Sequence, residues 1–352
     1  MRPYSFVKRW LLALVSIPAL LMGSSGNPSI IVKDMATGNV LLSEDPDARH
    51  YPASLTKVMT LYLLFDDLEA GRVTLDQRFN VSRYASEQPP TKIGLRPGAR
   101  ISVEDCIGAL ILRSANDVAV VVAEGLAGSE PAFAARMTAK ARQLGMHQTV
   151  FRNASGLPDD AQYTTANDLM ILTDTLITRF PERYHYFGMT SARVAGQTVT
   201  THNGFLGLYK GADGLKTGYT RDAGYNLIAS VERQGHRLIG IELGAESRPI
   251  RDARMVHLMD TAFGKLGIAR ESARLDRTPR RAVLERRHGR LLASVREQRG
   301  DTEDRPRVRH RAGHGHAREQ LARSGRRSHA APVHEKSHAA KSSHKSHKRA
   351  RR

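Results

Sequence analysis

The chain has 352 residues, 40% of them hydrophobic, which is enough for one large domain or two ordinary ones with a sizeable core. Its formal charge of +19 is uneven: most of the excess follows residue 268, so the mean misdescribes the part that folds. A single cysteine, Cys106, excludes an intramolecular disulfide; in the apolar pattern "VEDCIGALIL" it reads as a small buried hydrophobe.

The first 26 residues read as a targeting segment. Arg2, Lys8 and Arg9 precede the apolar run "WLLALVSIPALLM" (Trp10 to Met22), and small residues follow in "GSSGN". The run is shorter than the ~20 residues of an ordinary membrane span. It fits either a cleaved signal peptide or an uncleaved anchor, and in both cases export to a periplasm or cell envelope. An exported chain without disulfides suits a bacterial envelope.

Residues 27 to 43 predict a hairpin, "SIIVKD" and "NVLLSE" joined by "MATG". A helix begins near Ser54, followed by a polar, turn-rich stretch ending in "GLRPGARIS". "VEDCIGALIL" and "DVAVVVAEGLAG" predict two apolar helices with "RSAN" as their joint, and "EPAFAARMTAKARQLG" a third with a glycine stop. "TTANDLMILTDTLITRF" opens on a good N-cap and carries a helical stripe. After Pro181 the pattern changes to strands: "KTGYT" leads into two β runs around "RQGH", and "SRPIRDARMVHLMDTAFGKLG" closes the domain as a helix. Strands at both ends with helices between them predict an α+β domain over residues 27–268. Its terminal strands share an antiparallel sheet, the end helix packs on that sheet, and the middle helices form a second lobe across a cleft. From residue 269 to 352 Arg, Lys, His, Ser and Ala dominate, and the segment reads as largely disordered, with too little apolar surface to offset its ordering entropy.

Three short motifs carry chemistry. In "YPASLTKVMT", Ser54 and Lys57 stand three apart, on one face of a helix and near its N-terminus. Serine needs a base, and a lysine serves if desolvation and nearby positive charge lower its pKa. By itself the pair also fits a capping serine and a snorkelling lysine. In "RSAND", Ser114 and Asn116 offer a hydroxyl and an amide to a cleft, or else a helix cap. In "GADGLKTGYT", Lys216, Thr217 and Gly218 at the start of a strand make a carboxylate site with close backbone access, or else an ordinary strand start with an exposed lysine.

Together and in this order, S-x-x-K, S-x-N and K-T-G resemble the motif set of penicillin-binding proteins and class A β-lactamases. With "FRNASGLPD", "AGYNLIAS" and "LGAESRPIRDAR", the stretch from about 28 to 265 resembles the serine-type D-alanyl-D-alanine carboxypeptidases, low-molecular-mass penicillin-binding proteins of the β-lactamase/transpeptidase-like fold. The resemblance implies that Ser54 attacks the carbonyl of the penultimate D-alanine of peptidoglycan stem peptides and that Lys57 takes its proton. It implies an oxyanion site between the backbone N–H groups of Ser54 and Tyr219. Ser114 passes a proton to the leaving D-alanine, Lys216 with Thr217 attracts the terminal carboxylate, and Asn116 binds the substrate and Lys57. His202 aligns near a basic position that helps bind that carboxylate. β-Lactams would acylate Ser54, and no cofactor or metal is implied. A class A β-lactamase also needs a deacylating glutamate between the second and third motifs; from Pro131 to Pro181 there is none, and the second motif is S-A-N rather than S-D-N. An endopeptidase cutting D-alanyl cross-links needs the same residues, and a non-catalytic envelope-binding module is the reading if the site is dead. The basic tail points to anionic wall polymers or a membrane surface. Export argues against nucleic acid as its partner, and the tail histidines have no specific metal-ligand spacing.

Overall fold

The computed structural model describes residues 28–269; the predicted targeting segment and all but the first residue of the basic tail lie outside them. Strands β1 (Ser29–Asp34) and β2 (Val40–Glu44) form the expected hairpin. A 3-10 turn at Ala53–Leu55 runs into α1 (Thr56–Glu69). Twelve of its residues are buried, so α1 is enclosed on all sides as a central helix rather than amphipathic. It packs against three helices of the middle lobe, α4 (Asn116–Ala127), α5 (Glu130–Leu144) and α6 (Ala166–Arg179).

The stretch read as turns holds more structure than its composition suggests. It contains β3 (Arg78–Asn80), the short helix α2 (Arg83–Ser86) and β4 (Arg100–Ser102), with β3 and β4 paired antiparallel. Each of these strands buries one central residue, Phe79 or Ile101, too short a pattern for periodicity to register. The helix α3 (Val103–Gly108) continues through a π-helical turn to Arg113 before the joint into α4. Cys106 is fully buried there, and burial pushes its thiol pKa up, as expected of an inert hydrophobe.

The change to strands comes later than Pro181. A helical turn, α7 (Pro181–Tyr184), and a 3-10 turn to Gly188 precede the hairpin of β5 (Ser191–Val194) and β6 (Gln197–Thr200). Proline at the first helical position explains the difference, because its fixed φ starts a helix as readily as it ends one. The helix α8 (Phe205–Leu208) then leads to β7 (Ala212–Thr220), β8 (Gly224–Arg233), β9 (His236–Ala245) and α9 (Arg248–Lys265).

The main sheet is antiparallel in the order β2-β1-β9-β8-β7, so the first and last strands of the domain share it as predicted. Alternation sorts its two faces. Val32, Leu227, Ala229, Val231 and Leu238 meet Met255, Met259 and Phe263 of α9, while Ile31, Ile228, Ile239, Ile241 and Leu243 join the core of the helical lobe. Both faces are covered, which is why β8 and β9 read as nearly continuous apolar runs. The strand β7 remains an edge, and that edge forms one wall of the cleft.

Helix α6 starts where the sequence places it: the Thr165 hydroxyl accepts the backbone N–H of Asp168 at 3.0 Å. Thr165→Ala is expected to cost about 1 kcal/mol and to lower the midpoint of thermal unfolding by about 2–4 °C in a domain of this size.

Candidate active site

Ser54 lies inside the 3-10 turn that precedes α1, and no side chain caps either element. Its hydroxyl is therefore free of the capping duty that the sequence alone allows. Ala53 holds a left-handed φ of 48°, an unfavourable backbone state that neighbours must enforce. Gly156, at φ 83°, lies directly over it: a Cβ there would come within 1.7 Å of the Ala53 carbonyl oxygen. From the other side β7 closes in at Gly218, where a Cβ would meet the Ser54 nitrogen at 3.1 Å. Asn226, a polar residue inside an apolar strand, donates to the Tyr51 and Pro52 carbonyls and fixes the turn to β8. Gly156→Ala should destabilise the protein by about 2–5 kcal/mol, combining left-handed strain and overpacking. It should also slow acylation of whatever folds, measured by thermal unfolding and penicillin labelling side by side.

Lys57 does not snorkel; it is 0% exposed. Its Nζ lies 3.2 Å from Ser54 Oγ, 2.8 Å from Asn116 Oδ1 and 2.5 Å from the Ser155 carbonyl. Burial lowers its pKa well below the ordinary lysine value, the Lys216 charge lowers it further, and Asp117 and Glu130 oppose the shift. Two of the three partners can only accept: Ser155 offers a carbonyl, and Asn116 is oriented by donating its Nδ2–H to the Pro89 carbonyl at 2.9 Å. The two N–H bonds of a neutral amine satisfy those two acceptors. The nitrogen lone pair then faces the Ser54 hydroxyl.

Ser114 and Asn116 flank Ala115, which is the N-cap of α4 and makes no side-chain cap bond, so neither residue is spent on capping. Ser114 sits at φ 57°, ending the π-helical turn and aiming its hydroxyl at β7. Lys216 lies mid-strand rather than at a strand start, because β7 begins at Ala212. It is 2% exposed, and its Nζ donates to Ser114 Oγ and to the Thr217 carbonyl, both at 2.9 Å. Burial lowers its pKa to about 7, with Arg251 adding to the effect. Two buried lysines of lowered pKa thus each face a serine hydroxyl across one cleft, an arrangement suited to moving protons in both directions.

That cleft, about 510 Å³, is lined by Ser54, Ser114, Asn116, Thr217, Gly218, Tyr219 and His202, so it gathers the sequence-predicted residues other than the two buried lysines beneath it. Tyr219 is 54% exposed and lies against Tyr225, ring centroids 4.3 Å apart. His202 differs from its expected basic character. Arg113 Nη1 donates to its Nε2 at 3.0 Å, and burial, then Arg113, Lys216 and Arg248, lowers its pKa. It enters the cleft as a neutral ring, and the positive charge at that end comes from Arg248 and Arg251, which the sequence reading did not single out. One signal for them was present: two arginines in the first turn of a helix, where the macrodipole disfavours cations. Among the described residues, no group of three or more His, Cys, Asp or Glu is placed to hold a metal.

The family model for D-alanyl-D-alanine carboxypeptidases, peptidase family S11, matches residues 24–247. The chain belongs to this family. Within the S11 carboxypeptidases it is 32% identical over 242 residues to DacF of Bacillus subtilis, covering 67% of this chain and 62% of that relative. It is 36% identical over 231 residues to DacD of Escherichia coli, covering 64% and 60%. The chain therefore spans about six tenths of the length of these curated relatives. Among solved structures it resembles penicillin-binding protein 5 of Haemophilus influenzae, with TM-score 0.65, 31% identity and coverage of 67% and 70%. It also resembles ampicillin-bound penicillin-binding protein D2 of Listeria monocytogenes, with TM-score 0.59, 31% identity and coverage of 67% and 96%. These likenesses agree with the α+β, β-lactamase/transpeptidase-like layout read from the sequence.

Proposed function

We propose that this protein is a serine DD-carboxypeptidase that removes the terminal D-alanine from peptidoglycan pentapeptides through an acyl-enzyme on Ser54. The observation that carries the reading is the set of Lys57 partners: Asn116 Oδ1 and the Ser155 carbonyl can only accept, so in the neutral amine both N–H bonds are committed to them and the lone pair is left for the Ser54 proton. Ser54 attacks the penultimate D-alanyl carbonyl as Lys57 accepts its proton. The backbone N–H groups of Ser54 and Tyr219 receive the oxyanion, a contribution typically of about 3–4 kcal/mol for a preorganised donor. Ser114, held by Lys216, delivers a proton to the leaving D-alanine. Lys216, Thr217 and Arg248 attract its carboxylate, with His202 as a neutral hydrogen-bonding neighbour. Water then hydrolyses the acyl-enzyme, and β-lactams stop the cycle at the same ester.

Residues 27–268 serve as the catalytic domain in this reading. Residues 1–26 direct export to the periplasm or envelope, and the basic segment after 268 engages anionic wall polymers or a membrane surface at about 1 kcal/mol per basic residue.

The deciding experiment incubates the full chain with a stem pentapeptide and measures D-alanine, with and without penicillin. Penicillin-sensitive release is expected. Cleavage of cross-linked dimers without D-alanine release would make it an endopeptidase, and no turnover of either substrate would overturn the reading.

A further inference from the structure

We propose that Glu130 is a positioning residue for Lys57, acting through the main chain of Ala154 and Ser155; the inference rests on the acyl-enzyme reading above. Glu130 opens α5, where a carboxylate is already favoured by the helix dipole, but its bonds reach well beyond the helix end. It is 6% exposed and lies outside the residues that line the cleft. Oε1 accepts the Ala154 N–H at 3.0 Å, and Oε2 accepts the Tyr84 hydroxyl of α2 at 2.7 Å. The Ala154 carbonyl is held in turn by the Thr60 hydroxyl at 2.7 Å, so this residue is held at both its N–H and its C=O. The next carbonyl, that of Ser155, is the one that receives Lys57. Thr60 stands three residues after Lys57 on α1, so the helix that carries the amine also fixes the segment that holds it. Asn153 completes the loop by accepting the N–H groups of Ser155 and Gly156 at 3.2 and 2.7 Å.

The charged groups that face Lys57 come from three further elements: Asp117 on α4, Glu130 on α5 and Lys216 on β7. Asp117 is occupied by the N–H groups of Ile93, Gly94, Leu95 and Val118. Glu130 is the anion attached to the segment that touches the amine. Its negative charge favours the protonated lysine, whereas Lys216 opposes it. Geometry and charge therefore separate by substitution.

The test measures the rate of Ser54 acylation by a fluorescent penicillin across pH, using the full chain. Glu130→Gln keeps an acceptor for Ala154 and removes the charge: its maximum rate should stay close to wild type while the acid limb moves to lower pH. Glu130→Ala releases Ala154 and should lower the maximum rate by about tenfold or more, the scale of a small misplacement of a reacting group. Wild-type rates and an unmoved limb in both variants would overturn the proposal, as would a glutamine variant as slow as the alanine one. If the alanine variant does not fold, the glutamine limb decides alone: a downward move supports the coupling and a fixed limb refutes it. Failure of wild type itself to form an adduct at Ser54 would remove the underlying reading, a result distinct from wild-type acylation that Glu130 does not influence.

Discussion

Ser54→Ala is expected to take no covalent label from a fluorescent penicillin and to lose D-alanine release by a factor on the order of 10⁴ or more. The loss is so large because in the proposed mechanism the ester forms on this oxygen, and the groups that move protons or bind the substrate offer no second nucleophile. The fold should survive. Ser54 caps neither the 3-10 turn nor α1, and among the described residues its hydroxyl is bonded only to Lys57 Nζ at 3.2 Å. In the alanine variant the amine still has Asn116 Oδ1 and the Ser155 carbonyl for its two N–H bonds. Thermal unfolding should therefore stay close to wild type while labelling disappears. A variant that labels as wild type does would mean that another residue is acylated, and the assignment of Ser54 would be lost.

The sequence made the three motifs visible, but what decides between their bland and catalytic readings lies in tertiary structure. "SLTK" suits a helix cap, and only the fold reveals that Ser54 caps nothing and that Lys57 is buried. "RSAN" suits a cap too, until Ala115 proves to be the capping residue and Ser114 faces β7. The long elements were legible because their patterns are long: α6 carries a cap and a stripe, and β8 and β9 are ten-residue strands with six consecutive buried residues each. The strands β3 to β6, of three or four residues each, bury one side chain apiece and leave no pattern to read. Residues that position the site without lining it were harder still. Asn226 acts across 174 residues of chain and the Ser155 carbonyl across 98, distances at which no spacing rule operates. Glu130 lies one residue before the glutamate-free interval from Pro131 to Pro181, and its carboxylate accepts from Ala154 and Tyr84 outside the cleft lining.

Lys57→Arg should reduce acylation by roughly 10³-fold, within the range expected for loss of a general base. Lysine works here because its slot makes the charged form costly: burial, then the positive charge of Lys216, lowers the pKa of Lys57, and loss of the proton exposes a lone pair to Ser54. Arginine has a pKa above about 12 and stays protonated at any working pH, so it presents donors where a base is needed. A guanidinium also overfills the space, so Lys57→Ala is the companion variant; an equal loss in both assigns the effect to the missing base rather than to crowding. The pH profile carries the sign. In wild type the rate is expected to rise with pH as Lys57 loses its proton, with a midpoint well below that of an ordinary lysine. It should decline above about 7, as Lys216 gives up the charge proposed to attract the substrate carboxylate. The two lysines titrate as a pair, because the positive charge of Lys216 disfavours a second cation at Lys57. Lys57→Arg should erase the acid limb and retain the alkaline one. A variant that still acylates at the wild-type rate with the acid limb intact would show that the proton of Ser54 goes elsewhere.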